Sequence, residues 1–166
     1  MSIHKDTRIG HVHLTVGNLE RSLGFYRDLL GFEVTTTFGP SAVFLSAGGY
    51  HHHIGLNTWA GEGAPPAVPG HAGIYHHAIL FPTRKELALV LKRIVDAGYP
   101  LEGAADHAVS EAIYLRDPDN IGVELYVDRP KEEWKYDAAG NIMMATEPLD
   151  LGALLALAEN DHGTSI

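Results

Sequence analysis

Cysteine is absent from this 166-residue chain, which excludes a disulfide framework and any thiolate metal site. No apolar run approaches the ~18 residues that a membrane-spanning helix requires. The opening residues, Met1-Ser2-Ile3-His4-Lys5-Asp6, carry no apolar signal core, so a cytoplasmic protein with no membrane partner is expected. Basic residues are scarce: 12 Lys and Arg stand against 21 Asp and Glu, for a net charge of −9. They do not cluster, so nucleic acid is not an expected partner. Histidine is the residue in excess, with eleven copies, several of them in doublets or triplets. Without Cys, a metal site must draw on His, Asp and Glu.

The length fits one domain, residues 1–166, and the pattern inside it repeats. Residues 9–58 read as a first βαβββ module. Ile9 to Val16 is its first strand, with Val12, Leu14 and Val16 on one face and His11, His13 and Thr15 on the other. Asn18 is placed to cap a helix whose apolar stripe is Leu19, Leu23, Tyr26 and Leu30, and Gly31 is placed to end it. Phe32 to Thr37, Ala42 to Ser46 and Tyr50 to Thr58 read as three strands. Residues 59–73, rich in Gly, Ala and Pro, read as a linker. A second module, 74–128, repeats the order. Ile74 to Phe81 is a strand. Thr83 and Glu86 form a capping-box pair ahead of a stripe of Leu87, Val90, Leu91, Ile94 and Val95, and Gly98 closes the helix. Tyr99 to Glu102, Glu111 to Leu115 and Ile121 to Val127 follow as strands. Residues 129–166 form an extension with a short helix over Leu154–Ala158, and Asn160 to Ile166 is expected to fray. The fold class is α+β: two βαβββ modules whose sheets pair into a cupped, open barrel with the helices outside.

The repeat brings candidate ligands into correspondence. His11 opens the first module and His76 opens the second, each on the face away from its helix. Glu124 lies mid-strand between Val123 and Leu125, on the polar face, where a carboxylate needs a partner. Two imidazoles and one carboxylate form the facial set that suits non-haem Fe(II) with open positions. The repeat mate of Glu124 is Gly55, which supplies no fourth ligand. His77 is the other candidate beside His76, but it shares a face with Ile79 and Phe81, on the helix side. Asp117-Pro118-Asp119-Asn120 reads as a turn and not as ligands.

These residues also carry a family resemblance. The run His11-Val12-His13-Leu14-Thr15-Val16-Gly17-Asn18-Leu19-Glu20-Arg21-Ser22-Leu23-Gly24-Phe25-Tyr26, followed by Leu29-Leu30-Gly31-Phe32, resembles the vicinal oxygen chelate superfamily of glyoxalases, bleomycin resistance proteins and dioxygenases. The run His107-Ala108-Val109-Ser110-Glu111-Ala112-Ile113-Tyr114-Leu115-Arg116-Asp117-Pro118-Asp119, ending at Glu124, is closer to the type I extradiol catechol-2,3-dioxygenases. The resemblance implies ring cleavage of a catechol-type aromatic diol by O₂, with Fe(II), or Mn(II), held by His11, His76 and Glu124. It implies that His107 and Tyr114 line the substrate pocket. A further His serves as the acid-base group near O₂, and His52 matches that place best. Strict alternation from Gly55 would instead send His53 into the cup, so His53 is the alternative. Many members carry four modules where this chain has two. A homodimer or higher homo-oligomer is expected of the fold. The alternatives within the superfamily are a glyoxalase-type isomerase or thiol transferase, and a metal-free binding or resistance protein.

Overall fold

The computed structural model describes residues 2–159, and the expected fraying of Asn160 to Ile166 lies outside them. The chain forms two compact units that divide between Pro66 and Ala67. Each holds one open, mixed sheet with its own helix, and the class is α+β, as expected.

In the first unit β1 (Val12–Thr15) leads through a helical crossover to β2 (Glu33–Phe38), β3 (Ala42–Ser46) and β4 (Ile54–Asn57). The sheet order is β1-β4-β3-β2, with β1 parallel to β4 and the other pairs antiparallel. The parallel pair is possible because the helix supplies the long return such strands need. Asn18 caps that helix, its Oδ1 accepting from the Arg21 amide at 2.8 Å. The crossover is not one regular helix. An α-helical turn, α1 (Leu19–Leu23), widens into a π-helical stretch over Gly24–Leu29. The amide of Leu30 reaches back five residues to the Phe25 carbonyl at 2.9 Å. The wider winding lets the neighbours Phe25 and Tyr26 both be buried, and Gly31, at φ 93°, turns the chain out.

In the second unit β5 (His77–Leu80) precedes α2 (Arg84–Asp96), then β6 (Gly103–Asp106), β7 (Ser110–Arg116) and β8 (Gly122–Asp128). The order is β5-β8-β7-β6, the same wiring as the first unit, extended by a two-residue strand β9 (Glu147–Pro148) on the outer edge of β6. Thr83 caps α2 by accepting from the Glu86 amide at 3.2 Å. Leu87, Ala88, Val90, Leu91 and Ile94 of α2 are buried, as are Ile113, Leu115, Val123 and Leu125 of the sheet. α3 (Leu151–Glu159) packs along α2 and buries Leu154 and Ala158.

Several sequence-based boundaries need correction. Both first strands start late, so His11 and His76 stand just ahead of β1 and β5. The strand expected over Tyr50 to Thr58 is regular only over Ile54–Asn57. The strand expected over Tyr99 to Glu102 is instead Gly103–Asp106. Ahead of it the Tyr99 hydroxyl donates to the Arg116 carbonyl at 2.7 Å, and the Glu102 amide donates to the Tyr114 carbonyl at 2.8 Å. Val95, expected in the buried stripe, is exposed.

Candidate active site

Glu124 sits at the centre of β8, where the register sets Tyr114 of β7 directly opposite it. Residues opposite each other on antiparallel strands share a face, and Tyr114 Oη lies 3.2 Å from Glu124 Oε1. The other carboxylate oxygen, Oε2, is 2.9 Å from His76 Nε2. The strand alternation therefore does what the sequence pattern required. Val123, Leu125 and Val127 face the core, and the half-buried Glu124 faces the polar side with two partners.

The place of His76 depends on a glycine. A Cβ built on Gly122 would lie 2.2 Å from the Tyr75 carbonyl oxygen and 3.0 Å from the His76 Cβ. Only a residue without a side chain lets the chain ahead of β5 run this close to β8.

His107 occupies the tight β6–β7 turn. Its Nε2 is 2.7 Å from Tyr114 Oη, and its Nδ1 is 2.8 Å from the Ala145 carbonyl oxygen. The turn is braced from below. Ala108 adopts φ 67°, its amide donates to Asp106 Oδ1 at 2.9 Å, and Arg129 clasps the other Asp106 oxygen. Burial, and then the negative charge of Glu124, push the Tyr114 phenol up to about 12, so it remains a proton donor at neutral pH. His76, His107 and Tyr114 border a cavity of about 370 Å³ on this face, with Tyr75, Gly103, Ala105 and Thr146 among its other walls. His77, by contrast, is buried on the core side, where burial holds its imidazole down at about 4. The side predicted for each member of the doublet agrees with the structure. Asp117 forms the turn into β8, its Oδ1 accepting from the amides of Asp119 and Ile121 at 2.9 and 2.8 Å.

The first unit gathers a second cluster. The His11 and His52 rings lie with centroids 4.4 Å apart at a tilt of 51°, and His52 also meets Phe44 edge-on at 5.0 Å. Burial, then the charges of His11 and its other histidine neighbours, lower the His52 pKa and favour a neutral ring. His53 is turned elsewhere. Its Nδ1 lies 3.1 Å from Ser46 Oγ and 3.3 Å from the Ala47 amide, which ties it to the end of β3. The chain is irregular through this triplet, so the alternation that favoured His53 does not extend back to it.

Gly55 proves to be more than a missing ligand. It pairs with His13 in the β1–β4 register, and a Cβ at Gly55 would lie 2.8 Å from His13 Cδ2. The imidazole of His13 fills this place, flanked by Phe44 and Trp59 at centroid distances of 5.6 and 5.1 Å.

The structure thus joins His76, Glu124, Tyr114 and His107 in one network, and His11 with His52 in another. Among the described residues no group of three His, Asp or Glu side chains stands ready to hold an ion. An imidazole nitrogen and a carboxylate oxygen converging at 2.9 Å are nonetheless donors of the type that a divalent first-row metal takes. The sequence reading passed over Gly122, Ala145 and the seating of His13. An isolated Gly inside a strand pattern is a signal of close approach and could have flagged the first. The contact through Ala145 is made by the main chain and has no sequence signature.

Comparison with known proteins accords with this geometry. The chain is 44% identical to the catechol-2,3-dioxygenase of Bacillus subtilis over 99% of its own length, and spans about 57% of that relative. It is 32% identical to biphenyl-2,3-diol 1,2-dioxygenase 3 of Rhodococcus globerulus, over 78% of this chain and 69% of the relative. Among solved structures, a glyoxalase/dioxygenase from Nostoc punctiforme superposes with a TM-score of 0.62 at 17% identity, over 78% of this chain and 99% of that one. With residues 8–125 matching its family model, the chain belongs to the Glyoxalase/Bleomycin resistance protein/Dioxygenase superfamily.

Proposed function

We propose that the protein is an extradiol dioxygenase. It opens a catechol-type ring next to the diol carbons and leaves both atoms of O₂ in a ring-opened product. The observation that carries this reading is the network on β7 and β8. It sets a His–Glu donor pair beside a cavity whose walls include the protonated Tyr114 and His107. The likeness to catechol and biphenyl-diol dioxygenases supports the same class. His76 and Glu124 would hold Fe(II), or Mn(II), and His11, the repeat counterpart of His76, would complete the set. When bound, the metal supplies adjacent positions for the diol oxygens and O₂ and a route for charge between them.

The remaining work falls to the protein. Tyr114 stands at the carboxylate's edge, and its high pKa keeps the phenol protonated at neutral pH. His107 holds the far side of Tyr114 and so fixes the phenol at the wall of the cavity that a substrate would enter. His52, kept neutral beside His11, can take a proton and return it, as general acid-base catalysis requires. The isomerase alternative is disfavoured by Gly55, because the His13 ring occupies the space a fourth ligand would need.

The test is anaerobic reconstitution with Fe(II), followed by a panel of catechols in air. The expected result is a yellow ring-fission chromophore with stoichiometric O₂ uptake. Turnover of a thiol or 2-oxoaldehyde substrate without O₂ uptake, and no chromophore with any catechol, would overturn the proposal.

A further inference from the structure

The segment after β8 returns to the sheet for a purpose that neither composition nor repeat explains. Glu147 and Pro148 add β9 to the outer edge of β6, opposite Asp106 and Ala105. This ladder carries Ala145 past the His107 turn, where the two residues bond reciprocally. The Ala145 amide donates to the His107 carbonyl at 3.1 Å, and the Ala145 carbonyl oxygen lies 2.8 Å from His107 Nδ1. On its other flank the His107 amide donates to the Ser110 carbonyl at 2.8 Å. Both main-chain groups of His107 are thereby fixed, and the ring has one direction left to settle.

A carbonyl oxygen only accepts, so His107 Nδ1 must carry a proton. A neutral imidazole has one N–H, which leaves Nε2 with its lone pair facing Tyr114 Oη at 2.7 Å. Tyr114 has a single proton and two acceptors in reach, His107 Nε2 at 2.7 Å and Glu124 Oε1 at 3.2 Å. The shorter contact takes it. The opposite tautomer would aim an N–H at Tyr114 and leave a bare nitrogen lone pair against the Ala145 carbonyl.

We propose that the Ala145 peptide is a positioning element that locks His107 in its Nδ1–H tautomer. The Nε2 lone pair then draws the Tyr114 proton away from Glu124, leaving the carboxylate free to act as a donor. The same relation decides which atom a substrate hydroxyl meets: Tyr114 presents oxygen lone pairs toward the cavity, and its proton is already committed to His107. The role assigned to Glu124 rests on the dioxygenase reading above, but the tautomer itself does not.

The experiment is ¹⁵N-edited NMR of the imidazole nitrogens in the metal-free, full-length protein, at a pH where His107 is neutral. The wild type is expected to show a protonated Nδ1 and an unprotonated Nε2 at His107. In Tyr114→Phe the Nδ1–H tautomer is expected to persist, because Ala145 sets it. Replacing the peptide link between Ala145 and Thr146 by an ester weakens the acceptor oxygen while leaving every side chain and the Ala145 N–H in place. There the His107 resonances are expected to shift toward a mixture of tautomers. Ala145→Pro, which removes the anchoring N–H, is expected to do the same, and the ester decides the matter should that variant fail to fold. An Nε2–H tautomer in the wild type would overturn the proposal. So would a switch of tautomer in Tyr114→Phe, or an ester variant whose His107 resonances match the wild type. Because the readout uses metal-free protein, failure of the dioxygenase assay leaves these outcomes unaffected.

Discussion

Gly122→Ala isolates the contact that sets His76. The backbone of Gly122 is not in the left-handed region, so alanine itself is conformationally allowed and the effect comes from contact alone. The added Cβ would meet the Tyr75 carbonyl oxygen at 2.2 Å. Carbon and oxygen in van der Waals contact stand about 1 Å further apart, and the obstacle is backbone, which cannot rotate aside. The chain at Tyr75–His76 must therefore move by roughly 1 Å, or the parallel pairing of β5 with β8 must open. Overpacking of this kind costs about 1–3 kcal/mol, offset in part by ~0.4–1 kcal/mol from the stiffer unfolded chain. A net loss of about 1–2 kcal/mol is expected in urea melts. If His76 and Glu124 bind the metal, a displacement of this size should weaken binding by about 10–100-fold, the range seen when ligand-orienting groups are lost. Chelator competition with Fe(II) or Mn(II) measures it. Gly24→Ala is the control: its Cβ meets nothing within 4 Å, and the site is an exposed helical one. That change should be neutral or stabilising by ~0.5–1 kcal/mol. A Gly122→Ala protein with wild-type stability and metal affinity would refute the argument that β5 is held against a bare backbone.

Three further outcomes follow from other parts of the molecule. Glu111 is buried and bonded by Arg84 at 2.7 Å and Arg129 at 3.2 Å. Glu111→Ala takes this carboxylate from Arg84, while Arg129 keeps Asp106 and Glu133; since both guanidinium groups are partly exposed, the expected loss is about 1–2 kcal/mol, below the full penalty for a buried pair, and denaturant melts of wild type and variant give the difference. His77, held at about 4 against an ordinary 6.5, binds fewer protons folded than unfolded. Its contribution is complete above about pH 6.5, is lost as pH falls toward 4, and amounts to roughly 3 kcal/mol. His77→Leu should flatten that part of the stability–pH curve relative to the wild type, and parallel curves would count against the burial argument. If the protein cleaves catechols as proposed, His52→Ala should lower kcat by about 10²–10⁴ without changing the metal content; loss of metal together with activity would recast His52 as a ligand.

The double occurrence of strand, helix and three strands was legible because each βαβββ unit writes its periods into the sequence. Alternation placed Leu14 and Val16 inside with His13 and Thr15 outside, and it put Glu124 on the polar face of β8. What escaped was structure made by neighbours and not by local preference. Gly103-Ala104-Ala105-Asp106 has little strand propensity and becomes β6 because β7 and β9 pair with it on both sides. β9 contains a proline, which is tolerated at an edge where the ring needs no inward N–H. The π-helical winding after Leu23 leaves the apolar spacing close to that of an ordinary helix, so the sequence does not show it. The ring directions of His52 and His53 were not legible either, because regular pairing begins only at Ile54 and alternation does not reach back to them. The contact between Ala145 and His107 is main chain to side chain, and any residue with a carbonyl could make it.

The two modules also show why duplicating a unit need not duplicate its carboxylate. In the first, the register pairs His13 on β1 with Gly55 on β4; in the second, the corresponding pair is Ala78 on β5 and Glu124 on β8. Paired residues on adjacent strands share one face, and in each of these two pairs one member is small. In the second module the small residue is on the first strand and Glu124 is the large one. In the first module the order is reversed, and the His13 ring lies close enough over Gly55 that even a methyl group would meet it at 2.8 Å. A carboxylate at position 55 therefore requires the His13 ring to move aside or to be replaced by a smaller side chain. Neither change alone gives the exchange: Gly55→Glu meets an imidazole, and His13→Ala takes away the ring that Phe44 and Trp59 flank without supplying a carboxylate. The asymmetry between one Glu and one Gly is thus held by pairwise packing across β1 and β4. It keeps a carboxylate off position 55 for as long as His13 stays where it is.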